Sequence, residues 1–173
     1  RRTDEEGRQQ CPWAACGRGD RDHRNVVTSL ELDSAKMEVN NNRFQATYRR
    51  IEENEVRYQE YYTDDAEYLI VAFGSIARIC LKAIEDARAK GLKIGLLRPI
   101  TLWPFPTAEI ARLAKQVKGI LTVELNAGQM IEDVRLAVEG AVPVYHFGRM
   151  GGMIPNPGEV LEALAGHFEE LKH

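Results

Sequence analysis

Cysteine is scarce in this chain, with three among 173 residues. Three cysteines cannot build a disulfide scaffold, and a zinc or iron–sulfur site needs about four Cys or His ligands. Cys11 and Cys16 have only His23 near them in the chain, so no metal centre is assigned. Cys80 falls on the inner face of a predicted helix and reads as a core thiol. Long apolar runs are lacking as well; none approaches the ~20 residues of a membrane-spanning helix. Neither sign of charge dominates, and a net charge of −3 argues against a general nucleic-acid surface. The Gly-x-Gly-x-x-Gly dinucleotide fingerprint is missing after the first strand, and so is the Gly-Lys-Ser/Thr of a phosphate-cradling loop. No Ser/His/Asp order stands out. His146 comes from a strand without an evident partner and reads as structural. Gly74 and Asn126 stand where an aspartyl phosphoacceptor site would need strand-end carboxylates. Hydrophobic content of 44% and charged content of 28% are those of an ordinary soluble protein, expected in a reducing cytoplasm. The start, rich in Arg, Asp and Glu and without Met, is expected to be internal to a longer chain.

What is present is organised around residues 68–105. Tyr68 to Phe73 is a short apolar run, broken by Gly74 and Ser75. Ile76, Ile79, Cys80, Ala83, Ile84 and Ala87 then recur at helical spacing, and Lys93 to Leu97 is a second apolar run. This strand–helix–strand crossover predicts a parallel sheet. The unit repeats with a helix from about Pro106, a strand at 120–125, a helix from Met130 and a strand at 142–147. Pro143 places that last strand near a sheet edge. Asn156, Pro157 and Glu159 form a capping-box start for a final helix. The expected fold is a three-layer α/β/α domain over 63–173 with a mainly parallel sheet. Before it, residues 34–62 read as one amphipathic linker helix with a stripe of Phe44, Tyr48, Ile51, Glu55, Tyr58 and Tyr62, weakened at Asn40 to Asn42. Residues 1–33 read as an irregular connecting segment.

In an open parallel sheet, ligands gather beyond the carboxyl ends of the strands. Those turns carry Ser75, Arg98, Trp103, Phe105, Asn126, Gln129, Met130, Arg149 and Met150, with Met153 beyond. Part of this set has a plain structural explanation: Ser75 can cap a helix, and Pro99 to Pro106 can be a stiff crossover. As a group, the set lacks an acid, base or nucleophile and is rich in the Trp, Met and Arg of interface cores. The rim therefore reads as a protein–protein face with positioning residues, without catalytic or metal-binding groups.

The same residues carry a family resemblance. Tyr68 to Arg78, Leu97-Arg-Pro-Ile-Thr-Leu-Trp-Pro-Phe-Pro106, Gly128-Gln-Met-Ile-Glu-Asp-Val-Arg135 and Phe147-Gly-Arg-Met-Gly-Gly152 resemble the C-terminal, transketolase-type domain of 2-oxoacid:ferredoxin oxidoreductase alpha subunits. Asn25-Val-Val-Thr-Ser-Leu30 and Ile51-Glu-Glu-Asn-Glu-Val-Arg-Tyr58 extend the similarity, which is greatest to the branched-chain (2-oxoisovalerate) type. The resemblance implies a complex that converts a 2-oxoacid and coenzyme A into an acyl-coenzyme A and carbon dioxide while reducing ferredoxin. Thiamine diphosphate, Mg²⁺ and iron–sulfur clusters would serve that complex from other domains and subunits. This fragment would bind none of them, would be inactive alone, and would have the other subunits as partners. A homodimer is left open; neither nucleic acid nor membrane is expected.

Two other readings compete with this one: a free-standing flavodoxin-like binding module, and a pure assembly domain joined through its long helix. The same domain of a 2-oxoglutarate or pyruvate enzyme is the alternative within the family. The parallel strands are expected in the order second, first, third, fourth. The antiparallel edge strand usual in transketolase-type domains is expected to be missing or moved, because residues 60–67 leave it little room.

Overall fold

The computed structural model describes residue 22, residues 30–168 and residue 171. Most of the expected connecting segment, with Cys11, Cys16 and His23, lies outside the described residues. The chain divides into two compact units, 1–45 and 46–173. Helix α1 (Ser34–Asn54) runs through the division. Asp33 starts it, its carboxylate accepting from the N–H groups of Ala35 and Lys36 at 3.0 and 3.2 Å. The helix is continuous through Asn40 to Asn42, and none of its residues is buried.

It does not reach residue 62. Tyr58–Tyr61 is instead strand β1, paired antiparallel with β3 (Ile94–Pro99). Tyr58 packs on one side of the sheet and Tyr61 on the other, the period-two alternation of a strand. Tyr62 then turns the chain with a left-handed φ of 56°. The antiparallel edge strand expected to be missing or moved is therefore present; four residues suffice for it. Backbone pairing to β3 outweighs the continuation of a helix whose next turn had nothing to pack against.

The parallel strands are β2 (Tyr68–Ala72), β3, β4 (Ile120–Glu124) and β5 (Val144–Gly148). With β1 they form one sheet in the order β1-β3-β2-β4-β5, so the parallel part follows the expected order. Apolar runs explain β2 and β4, whose residues are all buried, as strands covered on both faces must be. β5 is the edge strand opposite β1, half-buried throughout, and Pro143 stands just before it.

Helices α2 (Ile76–Arg88) and α5 (Pro157–His167) cover one face through Ile76, Ile84, Val160 and Leu164, against Ile70 and Leu96. Helices α3 (Thr107–Ala114) and α4 (Met130–Val138) cover the other through Ile110, Leu113 and Val134, against Leu69 and Leu97. The expected capping box opens α5: Glu159 N–H donates to Asn156 Oδ1 at 3.0 Å, and Asn156 N–H donates to Glu159 Oε2 at 2.8 Å. Cys80 is fully buried, and burial pushes its thiol up to about 12. No helix among the described residues is long and apolar enough to cross a membrane.

Candidate functional site

Because β2, β3, β4 and β5 are parallel, the turns after them share one end of the sheet. Chain order reverses between β2 and β4: β3 lies to one side of β2, and β4, next in sequence, to the other. Ligand crevices of such sheets open at this reversal.

On the β2 side, Gly74 takes a left-handed φ of 65° and leads into α2. Ser75 stands at the helix start, exposed, and its side chain makes no capping bond. On the β4 side stands a residue that sequence reasoning missed. Glu124, the last residue of β4, is completely buried. Its carboxylate accepts from the backbone N–H of Met130 at 2.9 Å, of Ile131 at 3.1 Å and of Gln129 at 3.2 Å. Asn126 Nδ2 donates a further bond at 3.0 Å, and Asn126 Oδ1 accepts from Gly128 N–H at 2.7 Å. A helix N-terminus presents unpaired N–H groups and a partial positive charge, which attract an anion. Here the chain supplies its own, so the α4 terminus is already filled. A signal for this existed: α4 has no capping side chain at Gln129, and the only carboxylate shortly before it is Glu124.

His146 belongs to the same cluster. It sits beside Thr122 across the β4–β5 pairing. Its Nδ1 lies 3.5 Å from Glu124 Oε1 and 3.4 Å from Thr122 Oγ1. The expectation that it lacks a partner is thus corrected; the pairing of β4 with β5 brings together residues 22 positions apart in sequence.

The other expected rim residues divide. Asn126 and Gln129 join the Glu124 cluster through the bonds just given. Met130, expected at the surface, is 3% exposed and part of the core; it opens the inward stripe of α4 that continues with Val134. Phe105 is half-buried against the α3–α4 side of the core. Arg149 pairs with Glu159 at 3.2 Å, and its N–H donates to the Glu124 carbonyl at 3.2 Å. Arg98 turns towards β1, donating to Gln59 Oε1 at 3.0 Å, while its Nε is buried without a partner among the described residues. Trp103 is 54% exposed and touches Tyr48 edge-on, with ring centroids 5.6 Å apart. Its loop is held by Thr101, whose hydroxyl donates to the Pro104 carbonyl at 2.9 Å and accepts from Arg57 N–H at 3.0 Å. Met150 is 61% exposed, and Met153, Ile154, Ile100 and Leu102 are exposed with it. The rim thus combines anchored loops with protruding apolar side chains. An apolar groove lined by Ala87, Leu92, Ile94, Leu161 and Leu164 lies at the opposite end of the sheet.

Residues 66–160 match the family described as pyruvate:ferredoxin oxidoreductase core domain II. The chain belongs to this family. It is 46% identical over 159 residues to the ketoisovalerate oxidoreductase subunit VorB of Methanothermobacter thermautotrophicus, covering 92% of this chain and 45% of the relative. It is 34% identical over 111 residues to the 2-oxoglutarate synthase subunit KorA of Methanothermobacter marburgensis, covering 64% of this chain and 30% of the relative. The chain therefore spans less than half the length of these curated relatives. Among solved structures, a 2-oxoglutarate:ferredoxin oxidoreductase from Magnetococcus marinus, with 2-oxoglutarate, coenzyme A and succinyl-CoA bound, superposes with a TM-score of 0.72. That match has 19% identity and covers 89% of this chain and 28% of that one. At that identity the likeness concerns the fold.

Proposed function

We propose that this chain is the transketolase C-terminal-like part of the alpha-type subunit of a thiamine diphosphate-dependent 2-oxoacid:ferredoxin oxidoreductase. Its substrates would be branched-chain 2-oxoacids such as 2-oxoisovalerate, converted with coenzyme A and ferredoxin. The observation that carries the substrate assignment is the 46% identity to a ketoisovalerate oxidoreductase subunit, against 34% to a 2-oxoglutarate synthase subunit. The domain positions and assembles; the chemistry resides elsewhere in the complex.

The residues of the rim fit this division of labour. The N–H groups at the start of α4 are engaged by Glu124. Among the described residues no group of three His, Cys, Asp or Glu side chains is placed to hold a metal ion. What the rim offers is Trp103, Met150, Met153 and Ile154, exposed on anchored loops, the composition of an interface core. The partners would be the rest of the same subunit and its companion subunits.

The test is turnover. The full-length subunit is assembled with its companions and assayed for coenzyme A-dependent viologen reduction with 2-oxoisovalerate, 2-oxoglutarate and pyruvate. Highest kcat/KM with 2-oxoisovalerate supports the assignment. A preference for 2-oxoglutarate or pyruvate replaces the substrate, and no activity with any 2-oxoacid refutes the reading.

A further inference from the structure

Helix α1 joins the sheet through a short, exposed junction. It ends at Asn54, and β1 begins at Tyr58. The base of the junction is clamped to the loop after β3. The Arg57 carbonyl accepts from the N–H groups of Ile100 and Thr101 at 2.9 and 3.1 Å, and Arg57 N–H donates to Thr101 Oγ1 at 3.0 Å. Glu55 and Val56 alone separate helix and clamp in the chain. Glu55 N–H still closes the last helical turn, donating to the Ile51 carbonyl at 2.8 Å. Its carboxylate pairs with the Arg57 guanidinium at 2.8 Å, but both side chains are exposed, so this ion pair adds little stiffness.

Above the junction the helix has little to hold it. None of its residues is buried, and packing is what stabilises most helices in proteins. Its ring contact with the sheet domain is Tyr48, edge-on to Trp103 with centroids 5.6 Å apart. Clamp and ring contact use the same loop: Ile100 and Thr101 hold Arg57, and Trp103, just beyond them, meets Tyr48. Thr101 also stiffens that loop by donating to the Pro104 carbonyl. All of these residues belong to the second compact unit. The elements are a fixed base, a short hinge, an arm without buried residues and an aromatic catch. An aromatic pair of this kind shifts a closed–open ratio about two- to tenfold. That favours the closed position, yet lets the arm leave without opening the sheet, where β2 and β4 are fully buried.

We propose that residues 46–54 of α1 form a strap latched on the loop 100–104, with Glu55 and Val56 as the hinge and Tyr48 on Trp103 as the catch. Latched, the strap fixes the Trp103 ring. Released, the strap swings from Arg57 and the ring is free. The position of the linker helix and the position of Trp103 are therefore one variable, which couples the entry of the chain into this domain to its strand-end rim. Tyr48 and Thr101 are positioning residues for Trp103. The device is independent of the substrate and partners proposed above.

Amide hydrogen exchange read by mass spectrometry tests it, on peptides covering 46–54, with 68–72 in β2 as the internal reference. Trp103→Ala and Tyr48→Ala should each speed exchange of the strap about two- to tenfold and leave the reference unchanged. The double variant should exchange no faster than either single one, because both remove the same contact. Tyr48→Phe keeps the ring and should behave as wild type. A second readout follows the loop: with Trp13→Phe in the background, Trp103 is the only tryptophan of the chain. Acrylamide quenching of its emission should rise in Tyr48→Ala and not in Tyr48→Phe. Strap exchange at the wild-type rate in Trp103→Ala, additive effects in the double variant, or unchanged quenching in Tyr48→Ala overturns the proposal. So does faster exchange of 68–72 together with the strap, since the contact would then support the whole domain rather than latch a strap.

Discussion

Replacing Glu124 is the perturbation with the largest effect expected from a single polar side chain. In Glu124→Ala, four donors lose their acceptor: the N–H groups of Gln129, Met130 and Ile131, and Asn126 Nδ2. Gln129 is exposed and Asn126 half-exposed, so water can reach those two. Met130 and Ile131 are buried, and their N–H groups are left stranded. Each stranded donor costs about 1–3 kcal/mol, and loss of a helix cap about 1 kcal/mol. The sum is about 3–7 kcal/mol, a large part of the stability of an ordinary domain. Glu124→Gln keeps one oxygen but loses the charge and turns an NH₂ towards donors, at a cost of about 1–3 kcal/mol. Urea unfolding gives both values. Amide hydrogen exchange locates them: protection of Met130 and Ile131 should fall first in the Ala variant. An Ala variant within about 1 kcal/mol of wild type would refute the account of this cluster.

Three further outcomes follow from other parts of the domain. Gly95→Ala would bring a Cβ to 2.9 Å from both Ala66 Cβ and the Tyr62 carbonyl, so a loss of about 1–3 kcal/mol in urea unfolding is expected. Trp103→Ala removes an exposed ring whose recorded ring contact is edge-on to Tyr48; stability should change by at most about 1 kcal/mol, while assembly with companion subunits should weaken. Acid should destabilise the fold through depressed carboxyls: hydrogen bonding to Arg88 holds Asp65 below its usual value, and hydrogen bonding to Arg112 does the same for Glu109. A depressed folded-state value means stabilisation present above the unfolded value and lost as pH falls through the folded one. The unfolding midpoint of wild type should therefore drop more steeply on acidification than that of Asp65→Asn or Glu109→Gln, and parallel curves would contradict this.

The parallel part of the sheet was legible because its signals are local. Tyr68 to Ala72 is an unbroken apolar run that Gly74 ends, and Asn156, Pro157 and Glu159 announce α5 within four residues. Tyr58–Tyr61 was misread because Tyr58 and Tyr62 also fit the four-and-three spacing of a helix. The choice between helix and strand there depends on β3, some forty positions away, which offers the backbone a partner. At the rim, Trp103 and Met150 lie where chain order places them. Met130 does not, although its place in the stripe with Val134, Ala137 and Val138 already pointed inward. Glu124 and His146 were not legible as a pair, because their meeting requires the β4–β5 register.

As proposed, this domain holds a larger oxidoreductase together at its strand-end rim. The measurement compares assembly of the full-length subunit with its companions, by size-exclusion chromatography with light scattering, against the same subunit lacking residues 58–173, the whole sheet including β1. The intact subunit should enter the complex and the truncated one should not, with coenzyme A-dependent viologen reduction lost in parallel. A truncated subunit that assembles and turns over like the intact one would contradict it.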